Sequence, residues 1–289
     1  MLGIRSAWFK RVVRPRILET APVTQTVDAT CEVHCFAAPS RWLELLWTLK
    51  SFYASSGAQF RLCIHESATL TDEIVGILAS HFPHGRVVLR NRSDDEVIGA
   101  LDEYPNLSAM REECEWVRKL TDVAVMAEAP KVLVLDPSVL FFAPPDALLT
   151  RAREAFHNAV AFCPDMQSEY GVSQEEAEEW FGVRMLPLVS AAVVLAPTAA
   201  LRLDWLEEFC ARLRGQGRKT ATLESTVFSL VGSRYGAELL SSEYAHDNDM
   251  PADHKICRRY SGWRSHRFYG EGLRELSRQG LLRHLRAES

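Results

Sequence analysis

The chain has 289 residues, 47% of them hydrophobic and 25% charged, with a formal net charge of −5. That length suits one large α/β domain or two small ones, and the composition excludes a disordered chain. No apolar run reaches the roughly 18 residues that a transmembrane helix needs, and no Gly-rich phosphate loop, Ser-His-Asp motif, Cys-X-X-Cys pair or nucleic-acid signature is present.

The opening segment, MLGIRSAWFKRVVRPRIL, carries Arg5, Lys10, Arg11, Arg14 and Arg16 with no acid before Glu19. Those bases interrupt what would be the apolar core of a secretory signal. Residues 1–16 could contact an anionic membrane surface peripherally, although a frayed basic terminus is the expected state. Residues 1–26 read as an extension and 27–289 as a single domain.

Strand and helix patterns alternate from about residue 30. CEVHCFAA is β-like, and in PSRWLELLWTLKSFYASSG the apolar residues recur at helical spacing until Gly57 stops the helix. FRLCIH is a second strand. TLTDEIVGILASHF is a second helix, capped by Thr71. RVVLR is a third strand, helical segments follow over Asp94–Glu103 and Ser108–Ala127, and KVLVLD is a buried strand ending in an acid. The second half predicts strands at Ala159–Cys163, Leu186–Ala196 and Ala237–Leu240, helices at Thr198–Arg214 and Leu223–Gly232, and a final helix. This order predicts a mostly parallel central sheet with right-handed crossovers.

Charge is polarised along the chain. Residues 158–183 hold six acids and no Lys or Arg, whereas residues 254–286 hold nine bases against Glu271 and Glu275. The basic stretch suits a polyanion such as a diphosphate, or an acidic partner, with Arg274 onward reading as a solvated helix. Seven cysteines without paired spacing imply no disulfide framework and point to a reducing, cytoplasmic setting. Cys31 and Cys35 flank His34, but a strand puts residues 31, 33 and 35 on one face, where small thiols serve as core.

In an open parallel sheet, ligands sit beyond the carboxyl ends of the strands. The strand Lys131–Leu135 delivers Asp136 to that edge, where it either faces a ligand or caps the turn at Pro137. Glu224 could serve as a base, and acids also favour a first helical turn. Lys119 and Asp122 could face a donor or form a surface pair. His246, Asp247 and Asp249 form a polar loop cluster that could bind sugar hydroxyls or a metal, with a solvated loop the expected state. Tyr260 and Trp263 could stack on a sugar or base, or simply pack.

The segment CEWVRKLTDVAVMAEAPKVLVLDPSVLFFAPPDAL resembles the core of a GT-A nucleotide-sugar glycosyltransferase. LKSFYASSG, TLESTVFSLVG and RRYSGWRSHRFYGEG resemble its first helix, a later acceptor-side helix and a C-terminal His-Tyr element. The resemblance implies a GT-A-like three-layer α/β sandwich that binds a nucleotide-sugar donor and an unknown acceptor. It implies donor contacts from Lys119, Asp122, Asp136, Ser138, Ser190, Arg258 and Arg259, with Glu224 and Asp136 in the catalytic positions. Departures fall on the metal ligands. The Asp-X-Asp element reads Asp136-Pro137-Ser138, Arg259 stands where the histidine is expected, Ser190-Ala191-Ala192 replaces Asn-Ser-Gly, and Glu66-Ser67-Ala68 replaces Asp-Asp-Gly. One carboxylate and a hydroxyl are a poor set for Mg²⁺ or Mn²⁺, while an arginine could neutralise diphosphate itself. The expectation is transfer without a tightly bound metal or other cofactor; the alternative is an inactive GT-A-like binding or scaffold protein.

Overall fold

The computed structural model describes residues 3–24, 27–156, 158–165, 169–214, 216, 220–246 and 251–287; the side chains of residues 220, 221, 263 and 287 are outside that description. The chain opens with a helical segment made of α1 (Ile4–Trp8), a π-helical turn (Phe9–Val13) and a 3₁₀ turn (Arg14–Glu19). The expectation of a frayed terminus is corrected here, because Phe9, Val13 and Ile17 are buried in the main core.

The elements that follow are β1 (Asp28–Ala37), α2 (Trp42–Ser56), β2 (Phe60–Glu66), α3 (Asp72–His81), β3 (Arg86–Val88) and α4 (Arg90–Ala100). Next come α5 (Pro105–Glu113), α6 (Glu115–Met126), β4 (Lys131–Leu135), β5 (Val139–Phe141), α7 (Asp146–Arg153), β6 (Val160–Pro164) and α8 (Gln174–Phe181). The chain ends with β7 (Val189–Pro197), α9 (Leu203–Leu213), α10 (Thr220–Tyr235), β8 (Ala237–Leu239), β9 (Cys257–Arg259), α11 (Arg274–Arg278) and α12 (Leu281–Ala287).

Local chemistry accounts for many of these boundaries. Gly57 closes α2 in the left-handed conformation with φ 54°, which costs a glycine little because it has no Cβ. The Thr71 hydroxyl accepts the Ile74 amide at the start of α3. Ser173 and Glu176 form a reciprocal capping box on α8. The single helix expected over 108–127 is broken at Cys114, whose backbone is extended. The strand expected from Leu186 begins only at Val189, because Leu188 sits at φ 61°.

Seven strands form one sheet in the order β3-β2-β1-β4-β7-β6-β8. β7 runs against both its neighbours, and the other pairings are parallel. Strand side chains alternate between two cores, one on each face of the sheet. Cys31, Val33 and Cys35 face the core of α2 and the N- and C-terminal helices, the two cysteines as free buried thiols. Phe36 and Cys63 face the core of α6, α9 and α10. A two-stranded antiparallel ribbon pairs β5 with β9, Val139 opposite Arg259. That ribbon lies directly after the carboxyl end of β4 and positions the site.

Candidate functional site

Asp136 follows β4 and opens a tight turn in which the Val139 amide donates to the Asp136 carbonyl at 3.1 Å. Its Oδ1 accepts the Ser138 amide at 2.8 Å and also the Ser138 hydroxyl. The turn-capping reading of this acid therefore holds. Oδ2 lies 3.8 Å from an Arg259 guanidinium nitrogen. The ribbon makes this meeting possible, since Tyr260 donates its amide to the Ser138 carbonyl at 2.9 Å. Burial works to raise the Asp136 pKa, but Arg259, Lys119, the Ser138 hydrogen bond and Arg41 outweigh it and hold the carboxyl at about 2.

The two arginines of β9 point to opposite sides, as a strand dictates. Arg258 is buried, pairs with Glu271 at 2.8 Å and lies over the Tyr260 ring. It is a structural cation, and its expected role at a donor is corrected on that ground. Arg259 remains about a quarter exposed, and its buried Nε has no hydrogen-bond partner among the described residues.

His246 is buried against Arg259, whose amide donates to its Nδ1 at 3.1 Å. Accepting there places the ring proton on Nε2, which has no partner among the described residues. Burial first, then Arg259, lower its pKa to about 3, so the ring is neutral near pH 7. Sequence reading placed His246 in a solvated loop; nothing local signals that its backbone amide is tied to Pro164 of β6 at 3.0 Å. Asp247 and Asp249 lie outside the described residues.

Lys119 of α6 stands 3.6 Å from Glu224 of α10 and near the Phe36 ring. Burial tends to lower its pKa, but Glu224 and Asp136 together raise it. The charge order Glu224, Lys119, Asp136, Arg259 thus runs across the carboxyl edge. Ser190 is at the same edge in β7, fully buried, its hydroxyl accepting the Ala192 amide at 3.3 Å.

Asp122 is not in this group. It is 2% exposed and lies 2.7 Å from Arg111, which also reaches Asp94 at 2.6 Å. Residues three apart on a helix lie close together, so the separation comes from their partners: Arg111 of α5 takes Asp122, and Glu224 of α10 takes Lys119. Asp122 instead ends a buried polar row on the β1/β2 face, with Glu32, His34 and His65. His34 and His65 share a 2.8 Å hydrogen bond, and Glu32 is 3.2 Å from His34. Burial opposes ionisation of Glu32, yet His34, the Glu128 amide and Arg86 hold its pKa at about 2.

No family model matches the sequence, and no curated protein does. Solved structures do match the fold. The structure of the galactosyltransferase LgtC, in complex with donor and acceptor sugar analogues, superposes with a TM-score of 0.55 at 14% identity, covering 88% of this chain and 96% of that one. An active-site mutant of LgtC gives 0.52 at 14% identity, over 86% and 95% of the two chains. The apo bifunctional glycosyltransferase WbbM gives 0.52 at 12% identity over 83% of this chain, which spans about half (47%) of WbbM. The chain has a GT-A glycosyltransferase fold. At these identities the likeness extends to the fold alone.

Proposed function

We propose that the protein transfers a sugar from a nucleotide-diphosphate donor to an acceptor, with Arg259 in place of a metal ion. The observation that carries this reading is the placement of Arg259. A partly exposed guanidinium with an unmet Nε stands beside Asp136 at the carboxyl edge of the sheet.

The metal of related active sites has poor ligands here. One Asp136 oxygen already accepts two hydrogen bonds from Ser138, and the other faces a guanidinium at 3.8 Å. A dication would meet a fixed positive charge and one shared carboxylate, against its need for several hard oxygens. Arginine can bind a diphosphate through paired hydrogen bonds and stabilise charge as it develops on the leaving group. The buried, neutral His246 accepts the Arg259 amide and so helps to position that residue. Lys119 adds positive charge, and Asp136, held ionised, suits hydroxyls of ribose or sugar. Glu224, partly exposed, stands on the acceptor side with Lys119 to orient it. The seven free, buried thiols fit a reducing, cytoplasmic setting.

The second reading, a donor-binding or scaffold protein without turnover, is favoured by one fact: Glu224 is engaged in an ion pair with Lys119. Calorimetric titration with a panel of nucleoside diphosphates and sugar nucleotides, in EDTA and in Mn²⁺, tests both. Binding in EDTA that R259A weakens roughly ten- to hundredfold, with nucleoside binding unchanged, supports the proposal. Release of free sugar or transfer to an acceptor separates the enzyme from the scaffold. Strict dependence on Mn²⁺ would exclude the arginine role.

A further inference from the structure

We propose that the N-terminal helical segment docks the protein on a bilayer bearing anionic lipid. The segment presents two adjacent rows of apolar side chains. Phe9, Val13 and Ile17 form the inner row and are buried in the main core, which fixes the orientation of the segment. Ile4, Trp8 and Val12 form the row beside it and are 93%, 52% and 45% exposed. An anchored helix ordinarily turns a polar face to water, and a continuous apolar row on that face marks an interaction surface.

Charge identifies the occupant. Arg5, Arg11 and Arg16 are exposed along the outer row, and no acid precedes Glu19. Glu19 is itself paired with Arg286. Beside the segment, a cavity of about 250 Å³ has Val13 and Leu282 among its walls, with Trp8, Arg16 and Arg283 around it. An apolar row bearing a tryptophan and flanked by arginines is the pattern of a helix lying in the headgroup region, its aromatic ring at the boundary and its bases on lipid phosphates. A protein partner would need an acidic surface with an apolar centre, whereas an anionic bilayer offers both at once. No helix among the described residues is long and apolar enough to cross a membrane, so the contact is peripheral.

The docked face adjoins the candidate site. A second cavity, of about 220 Å³, is bordered by Lys10 and Tyr269 on the side of this segment and by Arg41 and Tyr260 on the side of Asp136. The inference does not depend on the cleft binding a donor.

The test is sedimentation of the full chain with vesicles of phosphatidylcholine alone or with one quarter phosphatidylglycerol, at 0.1 M and 0.5 M salt. The wild type should bind the anionic vesicles, lose most binding at high salt, and bind the neutral vesicles at least tenfold more weakly. R5Q/R11Q/R16Q should weaken anionic binding roughly a hundredfold, about fivefold for each charge. I4S/W8S should weaken it at least tenfold and remove the blue shift of tryptophan emission that vesicles induce. All five residues are exposed, so circular dichroism of both variants should match the wild type. Absence of binding to anionic vesicles overturns the proposal, as does binding unchanged in both variants. A wild-type dimer in light scattering that I4S/W8S turns into a monomer would assign the face to a second copy instead, and also overturns it.

Discussion

Replacing Arg259 with alanine tests whether the cleft is organised around one cation. In the folded protein Arg259 is the strongest of the groups that hold the Asp136 carboxyl down at about 2, and burial opposes them all. The two charges are 3.8 Å apart. At that distance the attraction is about 1 kcal/mol in water and about 4 kcal/mol at an effective dielectric of 20. Both side chains are roughly a fifth to a quarter exposed, so screening brings the expected value to about 1–2 kcal/mol. That corresponds to roughly one pH unit. In R259A the carboxyl should therefore titrate roughly one unit higher, while R259K should recover most of the difference. Carbon-13 NMR of labelled aspartate carboxyls reads this directly. The stability consequence has a definite sign. The folded carboxyl is a stronger acid than the unfolded one, so its contribution is present above about pH 4 and lost as pH falls towards 2. R259A should narrow that acid window. If Asp136 keeps its wild-type titration in R259A, the arginine is not its main partner, and the argument that it excludes a metal fails with it.

Three further outcomes follow from the buried parts of the molecule. Arg111→Ala takes the cation away from the Asp122 carboxyl, which is 2% exposed, and urea denaturation should show a loss of about 3–5 kcal/mol; R111A/D122N should be more stable than R111A, and an equally unstable double variant would refute the pairing. His246, with a folded pKa of about 3 against 6.5 unfolded, is charged first in the unfolded chain, so stability is lost as pH falls below 6.5, by about 2 kcal/mol at pH 5. His246→Gln should remove that part of the pH dependence, read from urea midpoints at pH 7 and 5, and equal pH dependence in both proteins would contradict it. In α10, a Cβ on Gly232 would stand 2.6 Å from the buried Phe162 ring; Gly232→Ala should cost about 1–3 kcal/mol in the same assay, despite alanine's better helix propensity.

Much of the framework is legible in the sequence because it is set locally. Helical spacing from Trp42 to Tyr53, Gly57 as a left-handed stop, and Thr71 as a cap act within a few residues of themselves. The same holds for the apolar run of β4, which ends on Asp136 and needs only strand periodicity to reach the sheet edge. Alternation also places Cys31 and Cys35 in the core. The resemblance added that Arg259 belongs near that acid, which no local pattern could have said. Other features depend on contacts between residues far apart in the chain. The antiparallel direction of β7 comes from its pairing with β4 and β6. The β5/β9 ribbon decides that Arg259 faces Asp136 and that Arg258 turns to Glu271. Asp122 is drawn into a buried pair because Arg111, on the preceding helix, packs against it. His246 looked solvated, and the N-terminal segment looked frayed, because their partners lie on β6, β9 and the main core. Periodicity is a property of neighbouring residues, and it can be read along a chain. Which charge meets which, and which apolar row is left facing out, is a property of packing, and only the folded chain decides it.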